Sequence, residues 1–507
     1  MRIFLCFTLC LIGNLQAYSK TTHLYNSLDP QSLLQLIAFY RLYPEDPEGK
    51  QALEQCWNLI NKHRKVPVYP LQALIFPDLD VEPMVALITK QPHQSLTPLS
   101  TEAMANIEMI SDHLHHRKLR GHAVENIQDL TALPDAEIDL ARALFLFEFS
   151  EDLYQVRMSE NRLDVMALQI LGRLPPGATH RQKVDAITDF VFHEMGYRFP
   201  PHSLWAKEVD QYTYLPSVLD SRHGVCLGVS ILYLCLAQRL DVPLEILTPP
   251  GHIFLRYVEN GEYLNIETTA RGIHVEDSRY LNIHTKALQR RNLKEVIGLY
   301  FMNAAATAWH SEQHHKALAF YKKSSPFMPD DTVLKRFMGY NYLFVGDKQI
   351  GEELLKFAYH HPLSEYLIRE ETIIEDYFCD RVDVAGIKLI FQEGDTTRDA
   401  IMDKQKALTL YLKQYPRFRE GFLQLGVSYL QLGSLSEALE PFRQYHTLDP
   451  NNPMIEYYLT LIYMKRLNFP QAKEHLQQCR QLLQKQEYYP NDLKQLEEEW
   501  RMKAGFL

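Results

Sequence analysis

The chain has 507 residues, is 46% hydrophobic, 23% charged and 11% aromatic, and carries a formal charge of −10. That composition excludes a disordered or fibrous chain. Its acidic balance lacks the clustered Lys and Arg that phosphate binding requires, so no nucleic-acid partner is expected. Seven cysteines are too few for a disulfide scaffold, and the length suggests about three domains.

Residues 1–17, MRIFLCFTLCLIGNLQA, combine one cation, a short apolar run and a small residue at Ala17. This is the layout of a secretory signal peptide, and the expected location is therefore exported, periplasmic or secreted. The run is shorter than the roughly 20 residues a membrane span needs. No later segment is long and apolar enough, so no integral membrane segment is expected after cleavage. Cleavage at Ala17 leaves Cys56, Cys226, Cys235, Cys379 and Cys479, an odd number that keeps at least one thiol out of internal disulfides.

Residues 18–164 read as a helical N-terminal region. Leu33, Leu34, Leu36, Ile37 and Tyr40 fall at helical spacing, and Ser100-Thr101-Glu102 marks a helix start. His113, His115, His116 and His122 invite a metal reading. Their neighbours Arg117, Lys118 and Arg120, ahead of Gly121, suggest instead a cationic helix end and its cap, so no metal is expected.

The texture changes in residues 165–290. Cys226 to Leu240 is apolar nearly all round and ends at Asp241-Val242-Pro243, which predicts a buried helix. Cys226 stands on its first turn, where helix N-termini make cysteines reactive. Cys235, nine residues on, reads as core, about 13.5 Å away along the helix axis and beyond disulfide reach. After Pro249-Pro250-Gly251, residues 252–258 alternate, Asn260-Gly261 turns, and 263–269 return, predicting a β-hairpin. A two-residue loop pairs Glu259 with Glu262, Arg256 with Asn265, Phe254 with Glu267 and His252 with Thr269. That register sets His252 and Glu267 on one face as diagonal neighbours, and a one-residue slip would undo it.

From residue 295 to 507 a period of 34 residues recurs. Ala305, Ala317, Tyr321 and Pro329 begin it, followed by Gly339, Gly351 and Leu355. The set Gly426, Tyr429, Gly433, Ala438, Phe442 and Pro450 repeats it, then Thr460, Tyr463, Ala472 and Leu476, with a half-set at Ala407 and Tyr411. Small residues at fixed positions let paired helices approach closely, and larger ones fill the groove beside them. Residues 366–399 fit the pattern poorly.

A cysteine at a helix start, a histidine on a strand and a nearby carboxylate form the set needed for acyl transfer: nucleophile, proton carrier and orienting acid. Backbone N–H groups at the helix start could receive the oxyanion. The strings VLDSRHGVC, LYLCLAQRLDVP, PPGHIFLRY and LNIETT resemble the SirB-type branch of the transglutaminase-like (papain-type) superfamily, whose members are often joined to tetratricopeptide (TPR) repeats. The 34-residue period resembles those repeats. The resemblance implies an α+β fold, with a cysteine helix packed on an antiparallel sheet and a C-terminal TPR α-solenoid. It implies Cys226 as nucleophile, His252 as base and Glu267 where the superfamily usually has Asp. Many members of the branch lack the cysteine that this chain has. No calcium-type carboxylate cluster, phosphate loop or paired-cysteine motif is present, so no cofactor is expected.

The expected organisation is a signal at 1–17, a helical region at 18–164, a transglutaminase-like domain at 165–290 and repeats at 295–507. The expected function is an exported thiol enzyme acting on amide bonds, a cysteine hydrolase or acyltransferase, with a protein or peptide held by the repeat groove. The alternative is a catalytically inactive transglutaminase-like/TPR scaffold that binds proteins.

Overall fold

Apolar residues at helical spacing dominate the chain, and its computed structural model is mostly helical with one small antiparallel sheet. The structure describes residues 20–67, 98–200, 210–392 and 397–504. The signal segment expected at 1–17 lies outside the described residues, among which no helix is long and apolar enough to cross a membrane. The chain divides into two compact units. Of the described residues, one comprises those within 1–198, 215–223 and 231–244, and the other those within 199–214, 224–230 and 245–507.

The first unit is helical. Its longest helix, Leu153–Arg173 (α1), is capped by Asp152, whose side chain accepts from the Tyr154 and Gln155 N–H groups. Most of α1 is buried, including the charged residues Glu160, Arg162 and Asp164. Burying charge is tolerated only when it is paired, and here it is. Asp164 accepts from Arg239 Nε at 2.8 Å and from Ser111 Oγ at 3.0 Å, and Glu160 takes two hydrogen bonds from Arg142.

This network corrects the helix-end reading of the histidine cluster. The helix Thr101–Ile110 stops before the cluster, and His115–Lys118 and Arg120–Ala123 are short 3-10 turns. His116 is fully buried 3.3 Å from Asp164, and His122 meets Asp139 at 3.0 Å. Two of the four histidines thus belong to a buried ion network.

The apolar run after Gly224 forms the helix Cys226–Arg239 (α2). Residues 231–239 of α2 are held within the first unit: Tyr233 donates to the Val184 carbonyl and Gln238 to that of Ile138. Residues 224–230 belong to the second unit, which also carries the sheet. Its strands are Glu245–Thr248 (β1), Phe254–Glu259 (β2), Glu262–Ile266 (β3) and Gln289–Arg291 (β4), in the order β3-β2-β1-β4, all antiparallel.

The hairpin β2–β3 has the expected register, with Glu259 opposite Glu262 and Arg256 opposite Asn265. Asn260 and Gly261 both take positive φ, as a two-residue hairpin turn of this hand requires. Pairing ends at Leu255 and Ile266, so the expected pairs Phe254–Glu267 and His252–Thr269 do not form as ladder pairs. The positive-φ turn at Gly251 draws the chain off the ladder before β2 begins, with the His252 N–H bonded to the Pro249 carbonyl.

Beyond β4 the helices stack in antiparallel pairs: Leu293–His310 (α3) with His314–Ser324 (α4), and Thr332–Phe344 (α5) with Lys348–His360 (α6). The short Val384–Phe391 (α7) and Arg398–Gln414 (α8) follow. Then come Arg419–Gln431 (α9) with Leu435–Leu448 (α10), and Pro453–Lys465 (α11) with Phe469–Gln484 (α12). The small residues do what the period demands. A Cβ at Gly426 would come within 2.8 Å of the Phe442 ring, and one at Gly339 within 2.8 Å of Leu355. Ala305, Ala317, Ala438 and Ala472 are fully buried. The half-set is misregistered: Ala407 is exposed, while Leu408, one period before Phe442, is buried.

Candidate functional site

Three residues named from the sequence, Cys226, His252 and Glu267, meet in the second unit. Cys226 is the first residue of α2, and its thiol is partly exposed and free. The first-turn N–H groups of a helix have no intrahelical partner, and Cys226 stands at that end of α2. His252 lies two residues before β2, in the connection from the Pro249-Pro250-Gly251 turn, and Glu267 lies directly after β3. Both were expected on strands. Each sits just off a strand end, where the side chain is aimed by the turn rather than by the pleat.

The contact between them forms all the same. His252 Nε2 and Glu267 Oε2 are 2.7 Å apart, and His252 and Cys226 line the same cavity. With Nε2 committed to the carboxylate, Nδ1 is the nitrogen left for the thiol. The three side chains thus gather at one site.

Glu267 is held by several groups. It caps the 3-10 turn Thr268–Ala270 by accepting from the Thr269 N–H at 3.1 Å. Thr269 Oγ1 and Tyr280 Oη, each at 2.5 Å, donate to its two oxygens. The turn returns through Arg271, at φ 59°, so that the Glu267 N–H reaches the Ile273 carbonyl at 3.1 Å. On the other side Thr268 Oγ1 contacts Ser230 Oγ at 3.0 Å and donates to the Cys226 carbonyl at 3.5 Å. The acid's turn is thereby tied to the first turns of the cysteine helix.

Tyr280, Thr268 and Ser230 were not singled out from the sequence, and Thr269 was named only as the pairing partner of His252. Tyr280 stacks on Phe254 with centroids 4.4 Å apart and faces His252 at 5.8 Å. Its loop is anchored by Asp277, which accepts from Asn265 Nδ2 at 2.7 Å and from Arg256. Arg256 thus pairs with Asn265 and Asp277 and leaves Glu267 to His252. The signal for Tyr280 was faint: an aromatic residue in an irregular loop has no period to place it.

The electrostatics follow from these contacts. Burial alone would push the His252 imidazole down. Its hydrogen bonds to Cys226 and Glu267, with the carboxylate's charge, outweigh that and raise it to about 10. Burial would raise Glu267, but the hydrogen bonds from His252, Thr269 and Tyr280 pull it to about 2. Tyr280 is raised by burial and by the carboxylate it serves. Cys235 is fully buried on the same helix, and desolvation pushes its thiol up to about 12.

Among the described residues, two groups bring three nitrogen and carboxylate ligands within 4.8 Å of one another: His116, His122 and Asp139, and His446, Glu456 and His475. In the second, Glu456 pairs with both imidazoles, at 2.6 and 2.7 Å. In the first, His122 meets Asp139 inside the buried network. Hydrogen bonding accounts for the second cluster, whereas in the first neither ring nitrogen of buried His116 has a hydrogen-bond partner.

Residues 158–303 match the family model of the transglutaminase-like superfamily. Mouse (Mus musculus) F-box only protein 21 is 31% identical over 85 residues, which cover 16% of this chain and 12% of that protein. The chain therefore spans about an eighth of the length of that curated relative. MamA from Desulfovibrio magneticus RS-1 aligns at 14% identity and a TM-score of 0.20, covering 38% of this chain and 97% of MamA. YrrB, described as a TPR protein with an unusual peptide-binding site, aligns at 17% identity and a TM-score of 0.18, covering 36% of this chain and 86% of YrrB. Residues 158–303 thus form a transglutaminase-like domain, and Cys226, His252 and Glu267 lie within it.

Proposed function

We propose that the chain is a thiol-dependent acyl-transfer enzyme acting on amide bonds, with Cys226 as nucleophile, His252 as proton carrier and Glu267 as the acid that orients it. The observation that carries this reading is the His252–Glu267 pair at 2.7 Å beside the cavity that it shares with Cys226, the first residue of α2. His252, raised to about 10, already carries the proton at neutral pH, and Sγ attacks the carbonyl carbon as the thiolate, forming an S–C bond and an oxyanion that faces the first-turn N–H groups of α2. Collapse breaks the C–N bond, and the amine leaves with the proton that His252 carries. Water or a second amine then gives a proton to the neutral imidazole as it cleaves the thioester, yielding an acid or a new amide and restoring the thiolate and the protonated ring. Glu267 holds the ring in the required tautomer throughout.

The finer assignments belong to the same reading. The domain is of the SirB type, its functional core lies within 165–290, and the repeats hold a protein or peptide partner. The chain is exported, with cleavage after Ala17. The support for export is the charge and hydropathy layout of residues 1–17, and N-terminal sequencing of the mature protein tests it.

An activated acyl donor, such as a peptide thioester, tests the chemistry. In wild type an acyl group accumulates on Cys226, located by peptide mass mapping, and hydroxylamine releases it. Loss of the adduct in Cys226→Ala and its slowing in His252→Ala support the reading. No acyl-Cys226 in wild type would leave the alternative, a binding scaffold.

A further inference from the structure

A cavity of about 780 Å³ is lined by Cys226 and His252 and also by residues of α3, α5 and α7. Leu299, Met302, Ala306 and Trp309 line it from α3. These positions recur at helical spacing on one face, and from 299 to 309 they extend about 15 Å along the axis. Phe337 of α5 and Phe391 of α7 also line it. With Trp309 they form a mutually packed aromatic wall, with centroids 5.3 to 6.2 Å apart.

We propose that this cavity is the acyl-side substrate site of the thiol centre, and that it takes a peptide segment with large apolar side chains whose carbonyl lies at Cys226. The inference rests on the acyl-transfer reading for its chemistry and on the cavity for its selectivity. Two size arguments agree. At roughly 30 Å³ per water-sized group, 780 Å³ holds about 26 such groups, the bulk of a tripeptide with large side chains. A length of about 15 Å accommodates about four extended residues.

Polarity separates a peptide from a hydrocarbon chain. Asn303, Gln289 and Thr248 are interleaved with the apolar lining. Asn303 donates through Nδ2 to Thr213 and Gln289 accepts from Arg291 through Oε1, so each side-chain amide has a second polar atom to offer. Peptide groups can pair with such atoms, whereas a purely aliphatic chain would desolvate them without compensation.

Charge narrows the class further. Among the described residues no Asp or Glu lines the cavity, while three cations do: Arg291 and Arg336, paired with Asp331 and Glu370, and Lys404, which donates to the Ile390 and Gln392 carbonyls. A cationic side chain would meet apolar surface and like charge there.

The test uses the full chain and peptidyl chloromethyl ketones, which alkylate Cys226 with loss of chloride. Phe-Leu-Phe, Gly-Gly-Gly, Lys-Lys-Gly and dodecanoyl-Gly ketones are compared by the rate of Cys226 alkylation, mapped by mass spectrometry. Binding of the corresponding fluorescent peptide amides to Cys226→Ala is measured alongside by anisotropy. The proposal expects the Phe-Leu-Phe ketone to react at least about 30-fold faster than the Gly ketone, since each buried methylene-scale difference is worth about tenfold or more. The Lys probe should be slowest, and the lipid probe below the aromatic peptide. Ala306→Trp should reduce the aromatic-to-glycine ratio at least about tenfold. Met302→Trp repeats the test at a second position, and thermal melting identifies a misfolded variant. Equal rates across the probes, or a lipid probe that outruns the peptide, overturns the proposal while His252-dependent alkylation keeps the acyl-transfer reading. Selective binding of the aromatic peptide to Cys226→Ala, with no His252-dependent alkylation in wild type, supports the pocket and removes that reading.

Discussion

Two histidines beside carboxylates behave in opposite ways. His252 lies 2.7 Å from Glu267 and is raised to about 10. His116 lies 3.3 Å from Asp164 and is lowered to about 3. A carboxylate neighbour therefore does not decide the proton's fate. His116 has no exposed side-chain surface, and its desolvation is reinforced by the Arg239 guanidinium, which already neutralises Asp164. His252 keeps about a quarter of its side chain exposed and has a thiol and a carboxylate as partners. One carboxylate is spent on an arginine and builds a core. The other is held by hydroxyls and an N–H, which leaves it free to serve an imidazole.

The largest break in this comparison is chemical. Cys226→Ala or His252→Ala should lower acyl transfer by at least about a thousandfold, whereas His116→Gln should leave the rate per folded molecule within about twofold. Turnover of a thioester donor measures both, and equal losses would remove the distinction.

Stability comes next, with the order reversed. Asp164→Asn leaves Arg239 buried without its charge partner and should cost about 3–5 kcal/mol in denaturant unfolding. Glu267→Gln, which keeps the side chain's shape at its buried site, should cost about 1–3 kcal/mol.

A smaller difference is in pH. The folded pKa of His252 lies above its ordinary value, so its contribution is complete below about pH 6.5 and is lost as pH rises through about 10. Glu267 lies below its ordinary value, so its share is present above about pH 4.3 and lost as pH falls through about 2. The stability gap between wild type and Glu267→Gln should thus be widest near pH 4.5–6.5 and shrink on both sides. His116 is held neutral, so its share is present above about pH 6.5 and lost as pH falls toward about 3. His116→Gln should flatten that acid-side decline, and unfolding curves from pH 3 to 10 separate the two.

Much of the site was legible because its frame is periodic. An apolar run ended by Pro243 gave the cysteine helix, and Asn260-Gly261 set the hairpin register that brings His252 near Glu267. The strand ends were not legible, because Gly251 and Arg271 turn the chain by backbone conformation and not by hydropathy. Tyr280 was missed for a related reason: it reaches Glu267 through a loop pinned by Asp277, a tertiary hydrogen bond without a local pattern. In the repeats, Ala407 matched the residue type expected of a packed position, yet Leu408 occupies it, because spacing from Phe442 outranks residue type. The histidines at 113–122 misled in another way. Their partners, Asp164 and Asp139, are distant in sequence, and only the fold assembles the network.

The central claim is that position and partners make Cys226 reactive. Limited alkylation with iodoacetamide at neutral pH, each cysteine mapped by mass spectrometry, tests it most directly, with exposed Cys379 as an internal reference. Cys226 should be modified at least about a hundredfold faster than Cys235, which is buried with its thiol raised to about 12, and faster than Cys379. His252→Ala should erase the advantage over Cys379. Modification of Cys226 no faster than Cys379 in wild type, or a rate indifferent to His252, would contradict the account.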